Sequence, residues 1–142
     1  MSTRMFAVAA ALLGVALPAA GLAAGSSVEQ VSARLRGSAE VPKGSPTGSG
    51  VAKVTLNTQK SRACWTIAVH GIGKPLSAHV HKARRGKTGP VVIPLGATFM
   101  TKGCVKVPLR TLRAVVKNPR GYYVNVHMRV YLGGALRGQL RG

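Results

Sequence analysis

From residue 28 onward, apolar and polar residues alternate in short segments that glycine, proline, lysine and asparagine separate. Alternation with a period of two is typical of β-strands that bury one face. The pattern predicts eight strands, over residues 31–36, 51–56, 63–69, 77–82, 90–95, 103–107, 122–131 and 135–140. Many short strands with turn residues between them favour an antiparallel β-sandwich or barrel over alternating strands and helices.

The clearest strand is predicted over residues 122–131. Tyrosine, valine and methionine occupy every second position and form one face. The other face carries Tyr123, Asn125, His127, Arg129 and Tyr131. Gly133 and Gly134 follow, and this pair predicts a tight turn into the last strand.

One short helix is predicted among the strands, at residues 109–118. Leu109, Leu112, Val115 and Val116 recur at helical spacing, and an Asn-Pro pair predicts where the helix ends. The predicted fold class is therefore all-β, an antiparallel β-sandwich with one short helix.

The first 24 residues have the pattern of a secretory signal peptide. Arg4 precedes an uncharged apolar run over residues 5–17, Pro18 interrupts the run, and small residues follow at 19–24. The run has 13 residues, fewer than the roughly 20 that cross a bilayer. The sequence therefore predicts cleavage, a single domain over 25–142 without a transmembrane segment, and export to the periplasm or the extracellular space. A retained N-terminal anchor is the alternative.

The chain is strongly basic. The 142-residue chain carries a formal charge of +19, and loss of Arg4 with the signal peptide leaves +18. Glu29 and Glu40 are the only acids, and aspartate is absent. Hydrolases with paired carboxylates, Ser-His-Asp triads and oxygen-ligand Ca²⁺ or Mg²⁺ sites all depend on carboxylates. The composition therefore favours a protein that binds rather than an enzyme.

Two cysteines are present, Cys64 and Cys104. In an oxidising exported compartment, two cysteines in a small domain usually form a disulfide bond. A thiol pair that binds metal or acts in redox chemistry is the alternative, although the pair lacks C-x-x-C spacing. We expect a structural disulfide.

Three histidines are candidate metal ligands. His79 and His81 are two residues apart on a predicted strand, so both project from one face. His127 lies on the polar face of the strand at 122–131. Three imidazoles suit Cu²⁺ or Zn²⁺ with an open fourth position, and His70 is a fourth ligand if the fold brings it close. The alternative is that the three rings bond to one another, to Tyr123 or to backbone groups.

A basic surface is the second candidate site. The densest local cluster is Lys82, Arg84, Arg85 and Lys87. Such charge attracts polyanions in a salt-dependent way, and lipopolysaccharide or anionic polysaccharide would be a partner for an exported domain. The sequence has no nucleic-acid-binding signature and no interleaved aromatic stripe, so sequence-specific nucleic-acid recognition is not predicted. The alternative is a composition that confers solubility alone.

The order of short motifs along the chain resembles one known family. These motifs are Gly37–Pro42, Gly48–Ala52, Cys64–Ile67, Ala78–His81, Gly89–Leu95, Gly103–Val105, Asn118–His127 and Gly134–Leu140. Together they resemble the CHRD family, named after chordin and found in many exported bacterial proteins. The resemblance implies an all-β, immunoglobulin-like or superoxide-dismutase-like Greek-key sandwich outside the cytoplasm. One departure is the basic loop after His81, where the family is usually glycine-rich.

The histidine layout also resembles the copper half of a copper–zinc superoxide dismutase site. This chain has no obvious bridging histidine and no aspartate, so the zinc half is missing. The sequence therefore predicts an exported, non-catalytic CHRD-like module that engages anionic envelope or matrix polymers. The alternative function is a mononuclear copper or zinc protein, with or without redox activity, that uses the three histidines.

Overall fold

The computed structural model describes residues 27–142. The proposed signal peptide at 1–24 lies outside the described residues. The described chain forms the elements β1 (Val28–Arg36), β2 (Ser49–Asn57), β3 (Arg62–His70), β4 (Pro75–Lys82), β5 (Val91–Pro94), β6 (Lys102–Lys106), α1 (Leu109–Lys117), β7 (Tyr122–Met128) and β8 (Tyr131–Gln139). Single 3₁₀ turns lie at Gly37–Ala39 and Pro119–Gly121. None of the helices in this part of the chain is long and apolar enough to cross a membrane.

The eight strands form one antiparallel sheet in the order β5-β4-β7-β8-β1-β2-β3-β6. The first and last strands of the domain are therefore neighbours at its centre. They are joined less extensively than β1 and β2, which pair over nine positions. Between β1 and β8 the ladder pair is Arg36 with Arg137, and a bridge joins Ser32 to Arg141.

A single hydrophobic core lies inside the curled sheet. Val54 and Trp65 from one half of the sheet share a buried cluster with Val80 and Val124 from the other half. The helix α1 adds Leu112, whose side chain is fully buried. Because both halves bury their inner faces against each other, the sheet is nearly closed and barrel-like.

The predicted all-β class, the first six strand segments and the helix at 109–118 are confirmed, whereas the strand predicted over 122–131 ends at Met128 and the last strand begins at Tyr131. The β-sandwich architecture and its immunoglobulin-like or superoxide-dismutase-like type stay predictions, since the strands form one nearly closed sheet.

The predicted turn at Gly133–Gly134 is wrong. The chain turns at Arg129–Val130, where Met128 pairs with Tyr131, and both glycines lie within β8. Gly134 has a φ of +137°, and a Cβ there would overlap the Glu40 carboxylate. The glycine is thus needed for a close contact within the strand rather than for a turn.

The predicted disulfide is confirmed. Cys64 on β3 and Cys104 on β6 are direct partners in the sheet, and they are bonded to each other. The bond ties the edge strand β6 to its neighbour. Closing a loop of this length is expected to stabilise the fold by about 4 kcal/mol in the chain-entropy model.

The outer face of the sheet is polar but partly buried. Asn125 on β7 and Arg137 on β8 are exposed by only 2% and 1%. Two loops contact this region: the Ser45 N–H donates a hydrogen bond to the Ala135 carbonyl, and the Arg84 carbonyl accepts a hydrogen bond from the Arg137 side chain. This covered polar layer, on the side of the sheet opposite the core, holds the candidate site.

Candidate metal centre

The three predicted histidines come together on the outer face of β4 and β7. Among residues 27–142, one ring nitrogen from each of His79, His81 and His127 lies within 4.8 Å of the other two, and this group could hold a metal ion. The ring centroids are 5.7 Å apart for His79 and His81, and 5.0 Å apart for His79 and His127. The predicted cluster is therefore present.

Strand register explains why the rings converge. Ala78 and Val80 point into the core, so the intervening His79 and His81 point outward on β4. On β7, His127 is paired with Ser77, which places it diagonally beside His79. Diagonal neighbours on one face of an antiparallel pair lie within reach of long side chains.

Backbone carbonyls orient two of the rings. Nδ1 of His81 lies 2.8 Å from the carbonyl oxygen of Gly89, and Nδ1 of His127 lies 2.7 Å from that of Leu132. A carbonyl only accepts hydrogen bonds, so each Nδ1 carries the proton and donates it. In the neutral ring, Nε2 then keeps its lone pair. A hydrogen bond from the second ring nitrogen to a carbonyl is the usual support of a metal-bound histidine.

The remaining nitrogens have no hydrogen-bond partner of good geometry among the described residues. Nε2 of His81, Nε2 of His127 and Nδ1 of His79 are all buried and unpaired, although the Asn125 side chain lies close enough to His81 to act on its pKa. A buried polar atom without a partner is costly, and such atoms often mark a ligand or ion site. Three of them in one cluster argue against a purely structural hydrogen-bonded role for the rings.

Burial keeps two of the rings, those of His79 and His81, neutral. Burial lowers the pKa of His79 to about 4, with a smaller contribution from the neighbouring His127 and His81. Burial also lowers the pKa of His81, although its hydrogen bond to Gly89 acts in the opposite direction. Metal binding requires neutral imidazoles, so these two rings are prepared for a cation near neutral pH.

The spacing fits a small transition-metal ion. A tetrahedral ion with bonds of about 2.0–2.1 Å holds its ligand nitrogens roughly 3.3 Å apart. The largest separation in the cluster is within 4.8 Å, so side-chain rotations of modest size bring the three nitrogens to one ion.

A stacked tyrosine supports one of the ligands. The ring of Tyr123 lies parallel to that of His81, with 4.9 Å between centroids and 9° between planes. The guanidinium carbon of Arg137 lies 3.4 Å from the centre of the same tyrosine ring. His81 is therefore held by a hydrogen bond and by a stack.

A buried polar group beside this stack was missed by sequence reasoning. Glu40 is 5% exposed, and burial raises its pKa to about 7 although the charge of Arg137 lowers it. Asn125 lies between Glu40 and His81. The available signal was that Glu40 is one of only two acids in the chain; nothing local indicated that Arg137 would be buried.

One family model matches the chain: the CHRD domain, over residues 31–140. The chain belongs to the CHRD domain family. No curated protein and no solved structure matches this CHRD domain significantly. The match spans the strands that carry all three histidines, so the histidine cluster lies within the family domain itself.

The other predicted site residues lie elsewhere on the domain. Lys82, Arg84, Arg85 and Lys87 are all exposed around the loop that follows β4. His70 ends β3 in the other half of the sheet, is exposed, and is not part of the histidine cluster. The fold therefore separates the fourth histidine from the three candidate ligands.

Proposed function

We propose that this CHRD domain is a mononuclear copper- or zinc-binding module, with His79, His81 and His127 as ligands. The observation that carries the proposal is the convergence of three buried ring nitrogens that lack hydrogen-bond partners among residues 27–142. Two of these nitrogens belong to rings whose other nitrogen is bonded to a backbone carbonyl, which sets their tautomer. Residues that only tie strands together would use these nitrogens in hydrogen bonds.

We expect Cu²⁺ to bind more tightly than Zn²⁺. Imidazole nitrogens suit both ions, and the Irving–Williams order places Cu²⁺ above Zn²⁺ at a given nitrogen site. Three protein ligands leave a fourth position for water or for a small ligand. We assign binding to the domain and no reaction.

We also propose that the domain acts outside the cytoplasm. Residues 1–24 have the signal-peptide pattern. The Cys64–Cys104 disulfide is consistent with an oxidising compartment, where such bonds persist.

Metal titration of protein purified without chelator tests the metal proposal. Isothermal titration calorimetry should show one Cu²⁺ per chain with submicromolar affinity. Replacing all three histidines with alanine should weaken binding at least 100-fold. His70→Ala is the matched control, because it removes an exposed histidine outside the cluster, and it should leave the affinity unchanged. Absence of binding by the native protein, or retention of affinity by the triple variant, would refute the proposal.

A second proposed function is contact with anionic envelope or matrix polymers. It is supported by the exposure of Lys82, Arg84, Arg85 and Lys87 around one loop, on a chain with few acids. Heparin chromatography tests it: neutralising Lys82, Arg84 and Lys87 should lower the salt concentration at elution. The control neutralises Lys53, Lys102 and Lys106, which are exposed on β2 and β6. An equal shift for both sets would indicate diffuse charge and no local site.

A further inference from the structure

A groove runs along the outer face of the sheet where β1 meets β8. Its volume is about 660 Å³. Five arginines line it, together with two serines, a glutamine and small residues: Arg34, Arg36, Arg85, Arg137, Arg141, Ser32, Ser38, Gln139, Ala39 and Gly138. The lining contains no lysine and no carboxylate, although the chain has nine lysines.

The strand register concentrates charge in this groove. Val31, Ala33 and Leu35 point into the core, so the alternating Arg34 and Arg36 point outward. Arg36 lies directly opposite Arg137 on β8. Like charges directly opposite each other destabilise a sheet. An anion bound between the two guanidinium groups would offset this repulsion.

The burial of Arg137 is a second, independent indication. Its side chain is 1% exposed, and its Nη1 has no hydrogen-bond partner within the part of the chain that the structure describes. Its Nη2 donates to the carbonyl of Arg84. The acid that interacts with it, Glu40, is itself deprived of water, and its raised pKa leaves it partly protonated near neutral pH. The guanidinium is thus incompletely neutralised by the protein.

The choice of arginine identifies the chemistry of the ligand. A guanidinium is a planar fork of donors that binds two oxygens of one anion, whereas an ammonium acts as a point charge. Arginines on two strands and one loop approach the groove from several directions, and Ser32 and Ser38 add hydroxyl donors. This arrangement matches a tetrahedral oxyanion, which presents three or four acceptor oxygens.

We propose that the groove between β1 and β8 binds the phosphate or sulfate group of a larger molecule through Arg34 and Arg36, assisted by the positive charge of the buried Arg137. The proposal does not depend on the metal centre. It shares Arg85 with the loop cluster but otherwise differs from it, because three of its five arginines lie on β1 and β8 and a fourth, Arg141, lies two residues beyond the end of β8. The volume of the groove leaves room for a second charged group beside the first.

Calorimetry with pyrophosphate, inorganic phosphate and sulfate in physiological sodium chloride tests the proposal. The variant Arg34→Gln/Arg36→Gln should weaken pyrophosphate binding at least tenfold. The matched control, Arg110→Gln/Arg113→Gln, removes the same charge from exposed positions on α1, and it should change affinity less than twofold. Equal losses in the two variants, or no binding by the native protein, would overturn the proposal.

A vesicle arm identifies the source of the group. Phosphatidylcholine vesicles that contain phosphatidic acid are compared with vesicles of phosphatidylcholine alone. If the native protein sediments with the acidic vesicles and the Arg34→Gln/Arg36→Gln variant does not, a lipid phosphate enters the groove. Pyrophosphate binding without sedimentation would assign the groove to a soluble ligand. The proposal would be contradicted if the variant sedimented with the acidic vesicles as well as the native protein does and also bound pyrophosphate with unchanged affinity.

Discussion

The guanidinium carbon of Arg137 lies 3.4 Å from the centre of the Tyr123 ring. Tyr123 in turn stacks on His81, so three side chains in contact connect the arginine groove to the histidine cluster. Cross-strand pairing provides a second connection, because His79 pairs with Asn125, Asn125 with Arg137, and Arg137 with Arg36. The two proposed sites lie on one continuous polar layer.

Removal of the Tyr123 ring should weaken metal binding. Tyr123→Leu deletes the stack on His81, and we expect a loss of affinity for Cu²⁺ of about tenfold, since aromatic pairs contribute roughly 0.5–1.5 kcal/mol beyond burial. Calorimetric titration measures this loss. Tyr123→Phe keeps the ring and should bind nearly as tightly as the native protein. Equal affinities for the leucine and phenylalanine variants would show that the stack does not position His81.

Glu40 should make stability depend on pH. Its pKa in the folded protein is about 7, above the ordinary 4.5, so the folded state binds the proton more tightly than the unfolded state. The stabilising contribution of this group is present below about pH 4.5 and is lost as the pH rises through 7. Glu40→Gln cannot titrate. The free energy of unfolding of the variant minus that of the native protein should therefore rise by on the order of 3 kcal/mol between pH 4 and pH 8. Urea denaturation across this range measures the difference, and a constant difference would contradict the shifted pKa.

Loss of the disulfide should reduce stability without affecting metal binding. Cys64→Ser/Cys104→Ser is expected to lower the free energy of unfolding by about 2–4 kcal/mol, as measured by chemical denaturation. The bond lies on β3 and β6, whereas the histidines lie on β4 and β7, so Cu²⁺ affinity should not change. A large drop in Cu²⁺ affinity for the folded variant would indicate that the thiols take part in the metal site.

The two glycines of β8 should respond differently to alanine. At Gly134 a side chain would overlap Glu40, and the φ of +137° disfavours any side chain. We expect Gly134→Ala to lower the free energy of unfolding by about 2 kcal/mol or more. At Gly133 a Cβ meets nothing within 4 Å, so Gly133→Ala is the matched control and should have a small effect. Urea denaturation compares the two variants, and similar losses would argue against the Glu40 contact.

Period-two alternation predicted much of the fold and of the site. It predicted the positions of the strands. It also predicted that His79, His81 and His127 point outward, because successive side chains of a strand point to opposite faces and the apolar neighbours of these histidines point into the core. It misplaced the last turn, since a glycine pair has the same local signature whether it forms a turn or permits a contact. At Gly134 the contact is with Glu40, which is 94 positions earlier in the chain.

The arginine groove could not be predicted in this way. In the sequence, Arg34 and Arg36 have the pattern of ordinary exposed strand residues. The pairing of β1 with β8, which brings other arginines beside them, depends on the path of the whole chain. The burial of Arg137 depends on the loop that carries Arg84, which is 53 residues away in sequence. Such contacts have no local pattern from which to infer them.

The central position of β1 beside β8 also bears on how the protein becomes native. Ser32 and Arg141 exchange two backbone hydrogen bonds across a separation of 109 residues, so the middle of the sheet closes only after the whole domain is available. Non-local pairing of this kind is typical of domains that fold slowly, over milliseconds to seconds. While the chain is being synthesised or translocated, its sheet would therefore remain incomplete until the final strand becomes available. The arginine groove, which both terminal strands build, would be among the last features to form.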